Sequence, residues 1–466
     1  MDVNSKTVWT AFWFALLGGL AFAAVNFWFW GEGEDSGEIA GDRPRAAGPL
    51  PPAAPASEDR GGLVEEVADL EVSRPIARPH QDIEDPGGAA MRPFYRGLEE
   101  LEREERSRVA IEHYGDSILT SDFVSGQIRR LMQRRFGDGG HGFVLLGRPW
   151  RWYRHLDIRH GVRGEWRSRP LTSAPVADGL FGLGGVAFEA ASGKAVRSWI
   201  ATAREGEIGR RAAAFDVSYL EQPGGGSFRL RLDGRDLGEV STEAERKRAA
   251  HHRVEVEPPG PARLEIANAG GGPLRMFGVS LDSGEPGVVL DSLAINGARA
   301  SLLARFDEEH WIAELRGRDP SLLMLMFGAN EGHNEQLPLG GYREELADLL
   351  ELLRGELPDT ACLVIGPLDQ ANRLPGGRFS SRRMPLKLSR AQREVALERG
   401  CAFFDTRRAM GGDGSMGRWF QSGLGGGDLV HPTERGARKI GNWIAEALLY
   451  GYQRYLADRR DAGAEG

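Results

Sequence analysis

Four stretches carry residue types whose spacing could do chemistry. The first is Arg108-Val-Ala-Ile-Glu-His-Tyr-Gly-Asp-Ser-Ile-Leu-Thr-Ser-Asp122. Its apolar run Val109, Ala110, Ile111 predicts a buried strand that breaks at Gly115-Asp116-Ser117, and an amphipathic helical pattern with Val124, Ile128, Leu131 and Met132 follows. Ser117 is thereby expected at the carboxyl end of a strand and the positive end of a helix, where a nucleophilic hydroxyl and the oxyanion it creates are favoured. Gly-Asp-Ser alone is ordinary turn and N-cap chemistry, so the other stretches decide its meaning. Gly427-Asp-Leu-Val-His-Pro-Thr-Glu434 sets a carboxylate three residues before an imidazole, with Thr433 a candidate N-cap for the last helix. In a tight loop Asp428 can orient His431 through one ring nitrogen while the other faces a hydroxyl, the division of labour of a Ser-His-Asp triad. Asn296-Gly297 and Gly328-Ala-Asn-Glu331 then offer a backbone N–H at Gly297 and a side-chain amide at Asn330, which with the Ser117 N–H would form an oxyanion hole.

Positioning these groups requires a parallel sheet. Val288 to Leu290, Leu322 to Phe327, Cys362 to Ile365 and Ala402 to Phe404 are unbroken apolar runs, the first leading on through Ile295. Each is followed by a helical pattern or a polar turn, as with Leu302, Leu303 and Phe306 or Leu346, Leu349, Leu350 and Leu353. Alternation of this kind implies a parallel sheet covered on both faces. Ligands bind such sheets beyond the carboxyl ends of the strands, where Ser117, Gly297 and Asn330 all fall.

Between about Trp150 and Asp282 the helical patterns vanish. Period-two runs replace them (Phe215/Val217/Tyr219, Phe228/Leu230/Leu232, Val254/Val256, Leu264/Ile266), separated by Gly- and Pro-rich turns. This predicts an inserted β-sandwich or jelly roll. Trp150, Trp152, Tyr153, Trp166 and Trp199 could include a sugar-stacking platform, with buried packing the plainer expectation for most of them. His251 and His252 are adjacent in a strand-like run and therefore face opposite ways, poor geometry for one metal.

Gly115-Asp-Ser-Ile-Leu-Thr120, Asn296-Gly297, Gly328-Ala-Asn-Glu331 and Asp428-Leu-Val-His431 match in order the four blocks of the SGNH (GDSL) hydrolase superfamily. The chain resembles that superfamily from roughly Arg108 to Tyr450. The resemblance implies a three-layer α/β/α flavodoxin-like domain with a parallel sheet, interrupted by the inserted β-domain. It implies Ser117 as nucleophile, His431 as base, Asp428 as its partner and the Ser117 N–H, Gly297 and Asn330 as oxyanion donors, with no cofactor and no metal. A β-domain between the first and second blocks, behind an export signal, resembles the peptidoglycan O-acetylesterases of Gram-negative bacteria. The implied activity is removal of O-acetyl groups from an envelope glycan. The alternatives are an O-acetyltransferase acting on peptidoglycan or an exopolysaccharide beside envelope acetyl-transfer machinery, and a non-catalytic glycan-binding envelope protein.

The remaining sequence concerns location. Val8 to Trp30 is apolar apart from Thr10 and Asn26, long enough to span about 30 Å of hydrocarbon. Lys6 precedes it and Glu32, Glu34 and Asp35 follow, which favours a single-pass inner-membrane anchor with the catalytic part in the periplasm. Ala21-Phe22-Ala23 resembles a signal-cleavage site, but apolar sequence continues past it. The expected organisation is an anchor at 1–30, a disordered Pro/Ala/acidic tether at 31–92, a hydrolase part at 93–149, the insert at 150–285, a second hydrolase part at 286–455 and a disordered tail at 456–466. The net charge of −8 over 466 residues, with scattered basic residues, argues against a nucleic-acid partner. Two cysteines exclude a disulfide framework; Cys362 and Cys401 are expected as buried thiols, with one bridge open outside the cytoplasm.

Overall fold

The computed structural model describes residues 71–464. The expected transmembrane helix and most of the tether lie outside the described residues. Among the described residues no helix is long and apolar enough to cross a membrane.

Five parallel strands form the central sheet: β1 (Arg108–Gly115), β2 (Gly287–Ala294), β3 (Pro320–Met326), β4 (Ala361–Ile365) and β5 (Ala402–Phe404). Their order is β2-β1-β3-β4-β5, the flavodoxin-like doubly wound order. The alternating side chains of β3 show why the sheet must be covered twice. Leu322, Met324 and Met326 enter one core with helices α1 (Arg92–Glu102), α2 (Phe123–Phe136) and α6 (Glu434–Ala464). Leu323 and Leu325 enter the other, with α3 (Glu308–Arg318), α4 (Leu339–Glu356) and α5 (Met384–Glu398). The stretch after Gly297 is a 3₁₀ turn, Ala300–Arg305, rather than a full helix.

The insert is a pair of antiparallel sheets. Arg248–Gly260, Ala212–Glu221, Leu274–Asp282, Val186–Ala190 and Arg167–Pro170 form one; Ile158–Arg163, Arg197–Thr202, Arg263–Gly270, Ser227–Leu232 and Arg235–Ser241 form the other. It begins earlier than its pattern indicated, because the four-residue strand Gly142–Leu145 already pairs with Leu274–Asp282. Nor is its core closed off. Phe181, Phe188, Phe215 and Phe277 belong to one continuous apolar cluster with Tyr114, Trp311, Leu323 and Val364 of the α/β part. At the junction Phe181 meets Phe306 edge-on, Phe306 stacks on Trp311 at 5.0 Å, and the Trp311 indole donates to the Tyr114 hydroxyl at 2.9 Å. Buried Asp291 on β2 joins the parts again: it accepts the Phe143 amide at 2.7 Å and two bonds from Arg318.

Three expectations need correction. The tether is packed at its end: the His80 ring stacks on Trp443 at 4.3 Å, the Ile76 amide donates to Gln453, and Glu84 bridges Phe403. The tail is helical to Ala464, since Tyr455 and Arg459 both reach the carboxylate of Glu99 on α1. Cys362 and Cys401 are bridged rather than free, the β4–β5 pairing having brought two positions 39 apart in sequence together. The aromatic set divides as packing demands, with Trp150, Tyr153 and Trp166 buried, Trp199 under the Arg263 guanidinium and Trp152 alone exposed, at 43%. His251 is held by Asp216 and Glu314, and among the described residues no group of three acids, His or Cys could hold a metal.

One shared core predicts one unfolding event. Phe181→Ala, inside the insert, should destabilise the chain by about 3–5 kcal/mol. Signals from the insert and from the α/β part should be lost together in urea; two separated transitions would show that the sandwich folds by itself.

Candidate active site

Strand register creates the site. Gly115 is the Cα partner of Ala294 on β2 and of Met326 on β3, so three neighbouring strands end at one level. The Ile295 amide donates to the Gly115 carbonyl at 2.9 Å and the Asp116 amide to the Met326 carbonyl at 3.3 Å, after which the chains part. Ser117, Gly297 and Asn330 follow these ends within two to four residues. Gly115 is required here: a Cβ would stand 2.6 Å from the Met326 carbonyl oxygen and 2.5 Å from Leu119.

Ser117 is half-exposed among buried neighbours. Its turn is fixed by Asp116, whose carboxylate accepts the Ile118 amide at 3.0 Å and, across the crevice, the Ala329 amide at 3.0 Å. The Ser117 carbonyl accepts the Thr120 hydroxyl at 2.8 Å. The helix begins only at Phe123, six residues on, so the expected support from its positive end is weak, because the dipole effect fades within a turn. Backbone amides take over that role. Among the described residues, the Ser117 and Gly297 N–H groups donate to no protein acceptor. Gly297 has φ +75° and open space where a Cβ would project, leaving its amide approachable. Asn330 spends one amide hydrogen on the Ala298 carbonyl at 2.8 Å, which ties its loop to that of Gly297 and leaves a second hydrogen to donate.

The loop before α6 brings an imidazole to Ser117. The Ser117 hydroxyl lies 2.7 Å from His431 Nε2, and His431 Nδ1 lies 2.6 Å from Asp428 Oδ2. The other Asp428 oxygen accepts the Val430 and His431 amides at 3.0 Å each. The loop is held from outside by the Gly426 amide on the His431 carbonyl, the Ala371 amide on the Leu429 carbonyl, and Thr433, whose hydroxyl caps the Gly436 amide of α6. Burial opposes the charge on Asp428, but these hydrogen bonds outweigh it and hold its carboxyl down at about 2. For His431 burial again opposes charge, and the Asp428 carboxylate more than offsets it, with help from Asp116, so the ring titrates above its ordinary 6.5. The imidazole side chain is 41% exposed, open to water.

Two groups at the site were given no role in the sequence reading. Asp116 lay within the quoted Gly-Asp-Ser, yet nothing in its type announced a bond to Ala329. Glu331, beside Asn330, is 1% exposed; burial first, then the Asp116 charge, push its carboxyl up to about 8, Arg299 offsetting only part of this.

A family model described as the GDSL-like Lipase/Acylhydrolase family matches residues 265–439, which include Gly297, Asn330, Asp428 and His431 and begin after Ser117. A solved structure described as "Peptidoglycan O-acetylesterase in action, 5 min" is similar with TM-score 0.65 and 24% identity, over 78% of this chain and 97% of that one, which shows a common fold. A family two carbohydrate esterase from Clostridium thermocellum in complex with cellohexaose follows at TM-score 0.25 and 13% identity, over 61% of this chain and 97% of that one. A salicylyl-acyltransferase from a tetracycline biosynthetic pathway gives 0.28 and 14%, over 62% and 96%. None of the curated proteins compared matches the chain.

The raised His431 pKa has a kinetic sign. Only the neutral ring can take the Ser117 proton, so kcat/KM for an ester should climb with pH through a midpoint above 6.5. Asp428→Asn should lower turnover about 10⁴-fold and move that limb to lower pH; an unmoved limb would separate Asp428 from the base.

Glu331 carries the opposite linkage to a paired acid. With its folded pKa raised to about 8, the folded chain keeps a proton that the unfolded chain loses near 4.5, so stability falls as pH rises between those values. Glu331→Gln should remove that slope, its melting temperature gaining on wild type from about pH 5 to about pH 9. Parallel melting curves would show that Glu331 does not titrate there.

Proposed function

We propose that this chain, a serine hydrolase of the SGNH type carrying a GDSL-like lipase/acylhydrolase domain, removes O-acetyl groups from an envelope glycan, peptidoglycan foremost. The single observation behind this reading is the continuous chain Ser117 Oγ, His431, Asp428 at 2.7 and 2.6 Å beside the free Ser117 and Gly297 amides. Ser117 attacks the acetyl carbonyl and passes its proton to His431 Nε2, while Asp428 holds the Nδ1 proton and balances the imidazolium. The carbonyl oxygen becomes an oxyanion met by the Ser117 and Gly297 N–H groups and the second Asn330 amide hydrogen. Collapse expels the sugar oxygen, which takes the proton from His431 and leaves acetyl-Ser117. Water then gives His431 a proton and attacks the acyl carbon; acetate leaves and Ser117 regains its hydrogen.

The Cys362–Cys401 bridge supports a working place outside the reducing cytoplasm, in line with an anchor over residues 8–30 and a catalytic part in the periplasm. The likeness to a peptidoglycan O-acetylesterase across 97% of that chain supports the glycan over a lipid ester.

Acetate release from O-acetylated peptidoglycan tests the proposal. Ser117→Ala and His431→Ala should each cost at least about 10⁴-fold in turnover, and the double variant little more, because the two act as a unit. Asn330→Ala should cost about 10²- to 10³-fold in kcat. Wild-type turnover in folded Ser117→Ala, or release from aryl acetates with none from any acetylated glycan, would defeat it.

A further inference from the structure

One segment near the site contradicts the electrostatics of the whole chain. Between Asn372 and Arg393 lie Arg373, Arg378, Arg382, Arg383, Lys387, Arg390 and Arg393 with no Asp or Glu, in a chain of net charge −8. The strands Ala371–Arg373 and Phe379–Ser381 pair as a hairpin, and Arg383, Lys387 and Arg390 follow at helical spacing along the start of α5. All three are exposed, and among the described residues none of their side chains forms an ion pair. This placement is unfavourable twice over. Like charges three and four apart on a helix repel, and cations at a helix N-terminus oppose its dipole, with no acid in the first turn to compensate.

A cavity of about 650 Å³ lies along this stripe, lined by Phe379, Arg382, Arg383, Leu386, Lys387 and Arg390. One acid, Asp413, lines it, and a second, Glu335, bonds to the backbone of a lining residue. Asp413 is engaged by Arg407, and Glu335 accepts the Arg383 amide at 3.1 Å. Phe379 is the one aromatic side chain in its lining, and Arg373 lies over the Phe379 and Phe420 rings beside it. The hairpin beside the groove also touches the triad loop: Ser381 lines the groove, its strand partner Ala371 donates its amide to the Leu429 carbonyl, and the Arg382 guanidinium is within electrostatic reach of Asp428.

We propose that this groove is a subsite for carboxylate groups of the glycan, so that the substrate is a carboxylated, polyanionic sugar polymer running from the triad along α5. The proposal rests on the glycan-esterase reading above. Nearness to the triad loop favours a substrate polymer over a separate partner, and a stripe of unpaired cations beside an aromatic side chain suits sugar rings that carry acids.

The test uses the full chain with Ser117→Ala, so that binding is read without turnover. Its probes are de-O-acetylated muramic-acid-containing glycan fragments, neutral cellohexaose and single-stranded DNA. Adding Arg383→Gln, Lys387→Gln and Arg390→Gln should weaken the carboxylated fragments about tenfold, leave cellohexaose unaffected, and flatten the salt dependence of binding. Equal binding of the fragments with and without the three changes, or equal loss for cellohexaose, would overturn the subsite. Tighter binding of single-stranded DNA, lost in the triple variant, would also overturn it. The esterase reading fails independently, if wild type binds the fragments but releases acetate from no glycan.

Discussion

The site depends on three parallel strands ending at one level. Because Gly115, Ala294 and Met326 are register partners, the loops after β1, β2 and β3 leave the sheet together and hydrogen-bond as they separate. Two further ties hold them apart at a fixed spacing: Asp116 to the Ala329 amide, and Asn330 to the Ala298 carbonyl. Asp116 is 1% exposed, and burial raises its pKa against the pull of the Ile118 and Ala329 amides. A buried carboxylate is a costly tie, and it is kept because it satisfies two donors on separate loops at once. The His431 imidazole arrives from elsewhere, on a loop whose own hydrogen bonds converge on Asp428.

The same sheet explains why the insert is integral. β2 is an edge strand, and an unpaired edge invites association with another chain. Residues leading into the insert cover part of it: the Val288 amide donates to the Gly137 carbonyl, the Gly139 amide to the Val288 carbonyl, and Asp138 forms a bridge with Val288. The chain then enters the sandwich at Gly142, where a Cβ would collide with Asp291, the carboxylate that also grips Arg318. Edge protection, a buried ion pair and a shared aromatic cluster thus coincide at one joint. Removing the insert would expose all three.

Much of this was legible because period is a local property. The apolar runs of β1 to β5 and the alternation within the insert reflect burial on two faces and on one, and each sits within a few residues of sequence. What stayed hidden depended on partners far along the chain. Gly142–Leu145 is too short for a period to register, and its strand character comes from Leu274–Asp282. The Cys362–Cys401 bridge follows from β4–β5 pairing, the helical end of α6 from Glu99, and the order of residues 76–84 from Trp443 and Gln453. The basic run was a different kind of miss. Averaged over the chain, the basic residues look scattered; in a window from Asn372 to Arg393 they stand alone. The roles of Asp116 and Glu331 were hidden because a carboxyl in a polar turn reads as solvated until the loop packed over it is known.

Openness of the site bears on what the acyl-serine would meet. The His431 side chain is 41% exposed and Ser117 half-exposed, with no described segment closing over them. A transferase must keep water from the acyl carbon while a sugar hydroxyl takes its place, which demands either exclusion of solvent or an acceptor held in near-attack geometry. Held well, an acceptor can reach effective molarities of about 10⁵ M or more and outrun bulk water. The walls that do this would have to stand on the leaving-group side of Ser117, from which the sugar departs and where an acceptor would enter. The charged groove instead grips a polymer along α5, at a distance from the carbonyl, and grips donor and deacetylated product alike. Such binding fixes which chain is presented without choosing between water and sugar, so the open imidazole favours water, and hydrolysis follows.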